Sequence, residues 1–242
     1  MTLGRLNIAI RRMHYWLSIA IGVQLGLWLV SGLFMTLFPI ETVRGTHLQA
    51  EPIPNPLQKG ELVIMPDEIL EQLPTAQTLT LQRVDGQVVY IASIQNRTEI
   101  LSAQTGEPID PLSEEQARRL AQDRYSGKGH IVETTLFEDS PPREYGRAGP
   151  VWQVKFDEPD KASFYIDART GEVMAVRTDL WRTFDFMWGL HIMDWSSREN
   201  FNSWWIKATA AVAALFFFSG ISLVVLRLRA MVRRRRLASE AQ

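Results

Sequence analysis

The chain has 242 residues, four histidines and no cysteine. Without a thiol it has no disulfides, no Cys-ligated zinc or iron–sulfur cluster, no thiol nucleophile and no c-type haem attachment. Imidazole is what remains for redox or metal chemistry, and histidine pairs are the axial ligands of a non-covalent b-type haem. The candidates are His14, His47, His130 and His191. Four-residue steps place His14, Ser18, Gly22 and Gly26 along one helix face, where small residues leave a shallow groove for a flat macrocycle or a second helix. Trp181, Phe184, Trp188, His191 and Trp195 recur at steps of three and four, one aromatic face of a helix suited to the membrane surface. Trp188 and Trp195 can wall a macrocycle, and Asp194 stands three residues after His191, where it can hold one ring nitrogen and leave the other for iron. His14 and His191 also read as interfacial anchors, His47 as a loop histidine near the headgroups, and His130, in Lys128-Gly129-His130, as an exposed loop residue.

Other chemistries find no support. G-x-S-x-G, H-E-x-x-H, Walker and Rossmann patterns are absent, and so is EF-hand spacing. The near-neutral net charge of −1 predicts no nucleic-acid partner. Charge is nevertheless sorted along the chain. Residues 1–38 hold three Arg and no acid, residues 39–205 hold 16 Lys/Arg against 26 Asp/Glu, and residues 227–242 hold six Arg and one Glu.

That sorting follows two apolar stretches. Residues 15–38 and 208–226 carry no charge, and each is long enough to cross ~30 Å of hydrocarbon. Arg5, Arg11 and Arg12 precede the first, and Arg227, Arg229 and Arg233 to Arg236 follow the second, so both termini are expected on the cytoplasmic side. The first stretch exceeds the ~7–15 apolar residues of a cleaved signal peptide. His14 then lies at the inner face, with His47 and His191 near the outer face. About 30 Å of membrane keeps His14 from sharing an iron with either. His47 and His191 are expected to share an outer iron, and a haem at His14 needs a second His14 across a homodimer or a partner protein. Gly22 and Gly26 are expected to face Ala210 and Ala214 of the second span or another copy of the chain, and the pairs Ser31-Gly32 and Ser219-Gly220 to mark further close contacts.

Between the spans the chain repeats itself. Pro52, Pro54 and Pro56 make 39–60 a stiff linker. A helix over 67–73 and strands over 78–83 and 87–94 lead to Ser102-Ala103-Gln104-Thr105-Gly106-Glu107. A helix over 113–125, with Ser113 and Gln116 as a capping box, and strands over 132–137, 151–156 and 162–166 lead to Asp167-Ala168-Arg169-Thr170-Gly171-Glu172, then a last strand over 173–177. The two turns lie 65 residues apart. The expected organisation is 1–14 cytoplasmic, 15–38 first span, 39–60 linker, 61–112 and 113–179 two helix-on-sheet units, 180–205 aromatic interfacial segment, 206–226 second span and 227–242 basic tail. Asn96-Arg97-Thr98 matches a glycosylation sequon, and Asp157-Glu158-Asp160 is one of few dense acidic spots.

The helix, strands and D-A-x-T-G-E hairpin resemble the PepSY domain. Arg11-Arg12-Met13-His14-Tyr15-Trp16 through Leu29-Val30-Ser31-Gly32-Leu33 resembles the PepSY-associated transmembrane helix, and Val43-Arg44-Gly45-Thr46-His47-Leu48 and Leu190-His191-Ile192-Met193-Asp194 are similar to motifs of its small two-span members. The resemblance implies an α+β membrane protein of the bacterial inner membrane, with two spans flanking a periplasmic domain of tandem PepSY-like units. Larger four-span relatives reduce siderophore-bound iron with b-type haems held by membrane histidines. The resemblance therefore implies a subunit of an electron-transfer or metalloreductase system linked to iron or flavin, acting with a partner redox subunit or flavoprotein. The alternative is a haem-free PepSY module, anchored in the membrane and acting on a periplasmic partner or protease.

Overall fold

The computed structural model describes residues 3–51, 55–58, 60–95, 97–157 and 159–239. Pro52 and Pro54 of the linker, Asn96 of the sequon and Glu158 lie outside them. In chain order the elements are α1 (Leu3–Thr36), α2 (Ile40–Val43), α3 (Pro66–Gln72), β1 (Thr78–Val84), β2 (Gln87–Ile94), β3 (Arg97–Ser102), α4 (Glu114–Arg124), β4 (Ile131–Phe137), β5 (Val151–Phe156), β6 (Ser163–Asp167), β7 (Val173–Arg177), α5 (Asp179–Ile192) and α6 (Trp204–Ser239). Two long apolar helices thus flank an α+β region in sequence. The chain divides into a helical unit of residues 1–38 and 184–242 and an α+β unit of residues 39–183.

In the α+β unit, each expected sheet forms and is antiparallel: β1-β2-β3, then β4-β5-β6-β7. β3 is a strand that the sequence pattern does not mark. On the first sheet, Ile69 of α3 packs with Val88, Tyr90 and Leu101. On the second, Ala117 and Ala121 of α4 lie against Val154, Phe156, Phe164 and Ile166. Alanine at those two positions lets the helix approach the aromatic rings closely. Ser113 caps α4: its Oγ accepts from the Gln116 N–H, and Gln116 Oε1 accepts from the Ser113 N–H.

The two hairpins share their geometry as well as their sequence. Gly106 and Gly171 take φ of 71° and 70°, and their N–H groups donate to Ser102 O and Asp167 O. Ser102 Oγ accepts from Gln104 N and Thr105 N, as Asp167 Oδ1 does from Arg169 N and Thr170 N. The left-handed position is why glycine recurs at both.

In the helical unit, the segments Asn7–Thr36 of α1 and Trp204–Leu237 of α6 are each long enough, and contain a window apolar enough, to cross a membrane. Little of either apolar window is buried. Val23 is 77% exposed and Leu29 74%, so the apolar side chains point outward. Exposed aromatic residues lie in the N-terminal half of each helix: Tyr15 and Trp16 within α1, and the stacked pair Trp204 and Trp205 at the start of α6.

Candidate functional site

Two histidines are built into the helical unit, and both are held in the same way. His14 of α1 places its Nδ1 2.7 Å from Ser219 Oγ of α6 and stacks on Phe216, with ring centroids 4.5 Å apart. His191, near the end of α5, places its Nδ1 3.0 Å from Ser31 Oγ of α1. The glycine after each serine makes room for the ring. A Cβ on Gly220 would stand 3.2 Å from His14 Cε1, and one on Gly32 3.5 Å from His191 Cε1. Each Ser-Gly pair of one helix therefore seats a histidine from another segment.

The serines also decide which ring nitrogen carries the proton. A hydroxyl has one proton to give. Ser31 Oγ donates it to Leu27 O at 2.7 Å, and Ser219 Oγ to Phe216 O at 2.7 Å. Each oxygen is left to accept, so Nδ1 of each histidine is the donor. The network assigns the Nδ1 proton of each ring to the serine oxygen and leaves Nε2 outside that bond. A metal-ligating imidazole is oriented in this way, by a second hydrogen bond.

Ser31 follows His14 by 17 residues on the same helix, about 25 Å of axial rise. His14 and His191 therefore occupy separate sites. Trp28 of α1 adds a further bond at the second, its indole N–H donating to His191 O at 2.8 Å. That satisfies a carbonyl near the C-terminal end of α5.

Several expectations are corrected. Gly22 and Gly26 do not face Ala210 and Ala214: a Cβ at either would meet nothing within 4 Å. A step of four residues advances the helix by 40°, so the line from His14 through Ser18 to Gly26 rotates off the face that α6 covers. Ser18 bonds its own helix at Tyr15 O. The groove that His14 lines, about 320 Å³, is made instead by Phe216, Phe217, Gly220, Ile221, Val224 and Val225. Asp194 does not hold His191. α5 ends at Ile192, Met193 turns left-handed at φ 55°, and Asp194 accepts from the Ser197 hydroxyl and from the backbone N–H groups of Ser196, Ser197, Glu199 and Asn200. Those bonds, the Ser197 hydroxyl first, hold its carboxyl far below the usual carboxylate range. The helix end also takes Trp195 out of the aromatic face, and it is exposed. Trp188 donates to Arg198 O at 3.0 Å. The buried Asp185 pairs with Arg198.

His47 and His130 belong to the α+β unit and are exposed. His47 sits in a 3-10 turn over Thr46–Leu48, and its carbonyl accepts from Ser126 Oγ. His47 and His191 thus fall in different units. Among the described residues no three His, Asp or Glu side chains cluster as a metal site.

A partly buried charge network in the α+β unit centres on Glu144. Glu144 accepts from Arg182 Nε at 2.8 Å and Nη2 at 3.1 Å, and from the Tyr165 hydroxyl at 2.7 Å; Gln153 Nε2 donates to that hydroxyl in turn. Burial pushes the Glu144 carboxyl up, but Arg182, Tyr165 and the charge of Arg177 outweigh it and hold it below its ordinary value. Burial, with Glu144 beside it, raises Tyr165 well above an ordinary phenol. The groups are mutually satisfied, so the network is structural.

Residues 111–177 match the PepSY family, described as peptidase propeptide and YPEB domain. The match covers the second helix-on-sheet unit, from the residue pair before the Ser113 cap to the end of β7. No curated protein and no solved structure matches the chain.

Proposed function

We propose that the chain is a two-span subunit of the bacterial inner membrane, with cytoplasmic termini and residues 39–205 in the periplasm, that holds b-type haem through His14 and His191. The observation that carries this is the repeated seat: two imidazoles in the apolar helical unit, each with Nδ1 bound by a serine and Nε2 outside that bond. The donor set fits one axial ligand per site. The groove at His14 is apolar and lies at the lower end of the ~300–1,000 Å³ typical of small-molecule sites. A second residue to hold the group at His14 would come from another copy of the chain or a partner redox subunit. Haem would supply one-electron chemistry, and the acceptor is ferric iron or a flavoprotein. The protein's own part is to fix ring tautomer and orientation and to exclude water. Haem content per chain tests this: His14→Ala and His191→Ala each remove one site and leave the other, and equal haem content in both variants and wild type would refute it.

A second reading rests on a different observation, the match of residues 111–177 to a domain described from peptidase propeptides. On this reading the PepSY unit binds a periplasmic peptidase or other partner and the two helices anchor it. Crosslinking in intact cells, with the spans replaced by an unrelated anchor, tests it: partner capture that survives the exchange supports this reading, and capture lost with the native spans opposes it.

A further inference from the structure

α6 does not end with its apolar stretch. It continues as helix to Ser239, so about 13 residues, or ~20 Å, extend beyond Leu226. This extension carries Arg227, Arg229, Arg233, Arg234, Arg235 and Arg236. At 100° per residue, Arg229, Arg233 and Arg236 fall within about 60° of one another, while Arg227 and Arg234 point to the opposite side. The first three line a groove of about 360 Å³ together with Leu228 and Val232. Leu228 is 54% exposed and Val232 51%. Among the described residues, none of the six arginines forms an ion pair.

The groove therefore combines three guanidiniums that pair with no acid among the described residues with an apolar floor, in direct continuation of the helix proposed to span the membrane. An arginine fork matches two phosphate oxygens at once, which a hydrated point charge does not. An inorganic anion would use the forks and leave Leu228 and Val232 in water. An anion with hydrocarbon attached uses both. We infer that Arg229, Arg233 and Arg236, with Leu228 and Val232, form a binding site for the headgroup and upper acyl chain of an acidic phospholipid of the inner leaflet.

This inference rests on the reading of α6 as a membrane span. Carbonate extraction tests that reading separately, since a spanning chain stays in the membrane pellet whatever its lipid preference. The lipid site is tested on the full chain in mild detergent by native mass spectrometry with added phosphatidylglycerol, phosphatidylethanolamine or inorganic phosphate. Wild type should retain phosphatidylglycerol over phosphatidylethanolamine. The triple change Arg229→Gln, Arg233→Gln, Arg236→Gln should weaken retention roughly a hundredfold, about fivefold per arginine. The control Arg227→Gln, Arg234→Gln, Arg235→Gln removes equal charge from elsewhere on the helix and should cost less, because these three do not line the groove. Equal losses in the two triple variants would reduce the effect to bulk charge and overturn the site. Phosphatidylethanolamine held as well as phosphatidylglycerol would overturn the headgroup assignment, and displacement by millimolar inorganic phosphate would overturn the lipid as occupant. Unchanged helix content by circular dichroism shows that each variant is folded.

Discussion

Replacing Ser31 by Ala removes a single oxygen from a fully buried position. The Leu27 carbonyl that Ser31 bonds keeps its place in the α1 ladder, so its loss of a second donor costs little. The His191 Nδ1–H loses its acceptor altogether. Interhelical polar bonds in membrane proteins average about 0.6 kcal/mol by double-mutant cycle and reach about 1.7. A site this enclosed belongs in the upper part of that range. The cycle needs four proteins: wild type, Ser31→Ala, His191→Ala and the double variant. His191→Ala leaves the backbone carbonyl for Trp28, so the cycle isolates the ring. Unfolding in detergent, followed by circular dichroism, should give a coupling of about 1 kcal/mol, roughly a fivefold effect on the equilibrium. Additivity within about 0.3 kcal/mol would show that the serine does not hold the ring, and the tautomer argument at this site would fall with it.

The two glycines of the seats should differ under the same change. Gly220→Ala brings a Cβ to 3.2 Å from His14 and displaces the ring by a few tenths of an ångström, whereas Gly32→Ala meets His191 at an ordinary 3.5 Å; the histidine ring resonances by NMR should shift in the first variant and hold in the second. Gly127→Ala would drive a Cβ to 2.3 Å from the Tyr125 ring and should destabilise the α+β unit by about 1–3 kcal/mol in thermal unfolding. Glu144 has its carboxyl lowered from 4.5 in the folded state, so its contribution to stability is complete above about that pH and disappears as pH falls through the lower folded value. The acid limb of the Tm–pH profile should therefore be shallower in Glu144→Gln, at a cost of about 1–3 kcal/mol near neutral pH. Identical acid limbs would count against the network.

Much of this architecture was legible because it depends on local rules. Charge-free stretches mark α1 and α6, Ser113 and Gln116 mark the start of α4, and the recurring glycine marks two left-handed turns. The seats were only half legible. Ser31-Gly32 and Ser219-Gly220 stood out as matched small pairs, and His14 and His191 as candidate ligands, but nothing in their spacing joins them. Residues 14 and 219 meet only through the antiparallel packing of α1 on α6, and residues 31 and 191 only because α5 ends against α1. The errors share one cause, the extension of a helical period beyond its range. The helix stops at Ile192, before Asp194 and Trp195, and Gly22 and Gly26 have turned off the face that α6 covers.

The central claim is that the helical unit presents imidazoles ready to ligate iron. The visible spectrum of the full chain, purified in detergent from a haem-replete host, tests it most directly. The account predicts a Soret band with a sharpened α-band on reduction, abolished when His14 and His191 are both replaced by Ala. A colourless wild-type protein, folded and recovered in full yield, would contradict it.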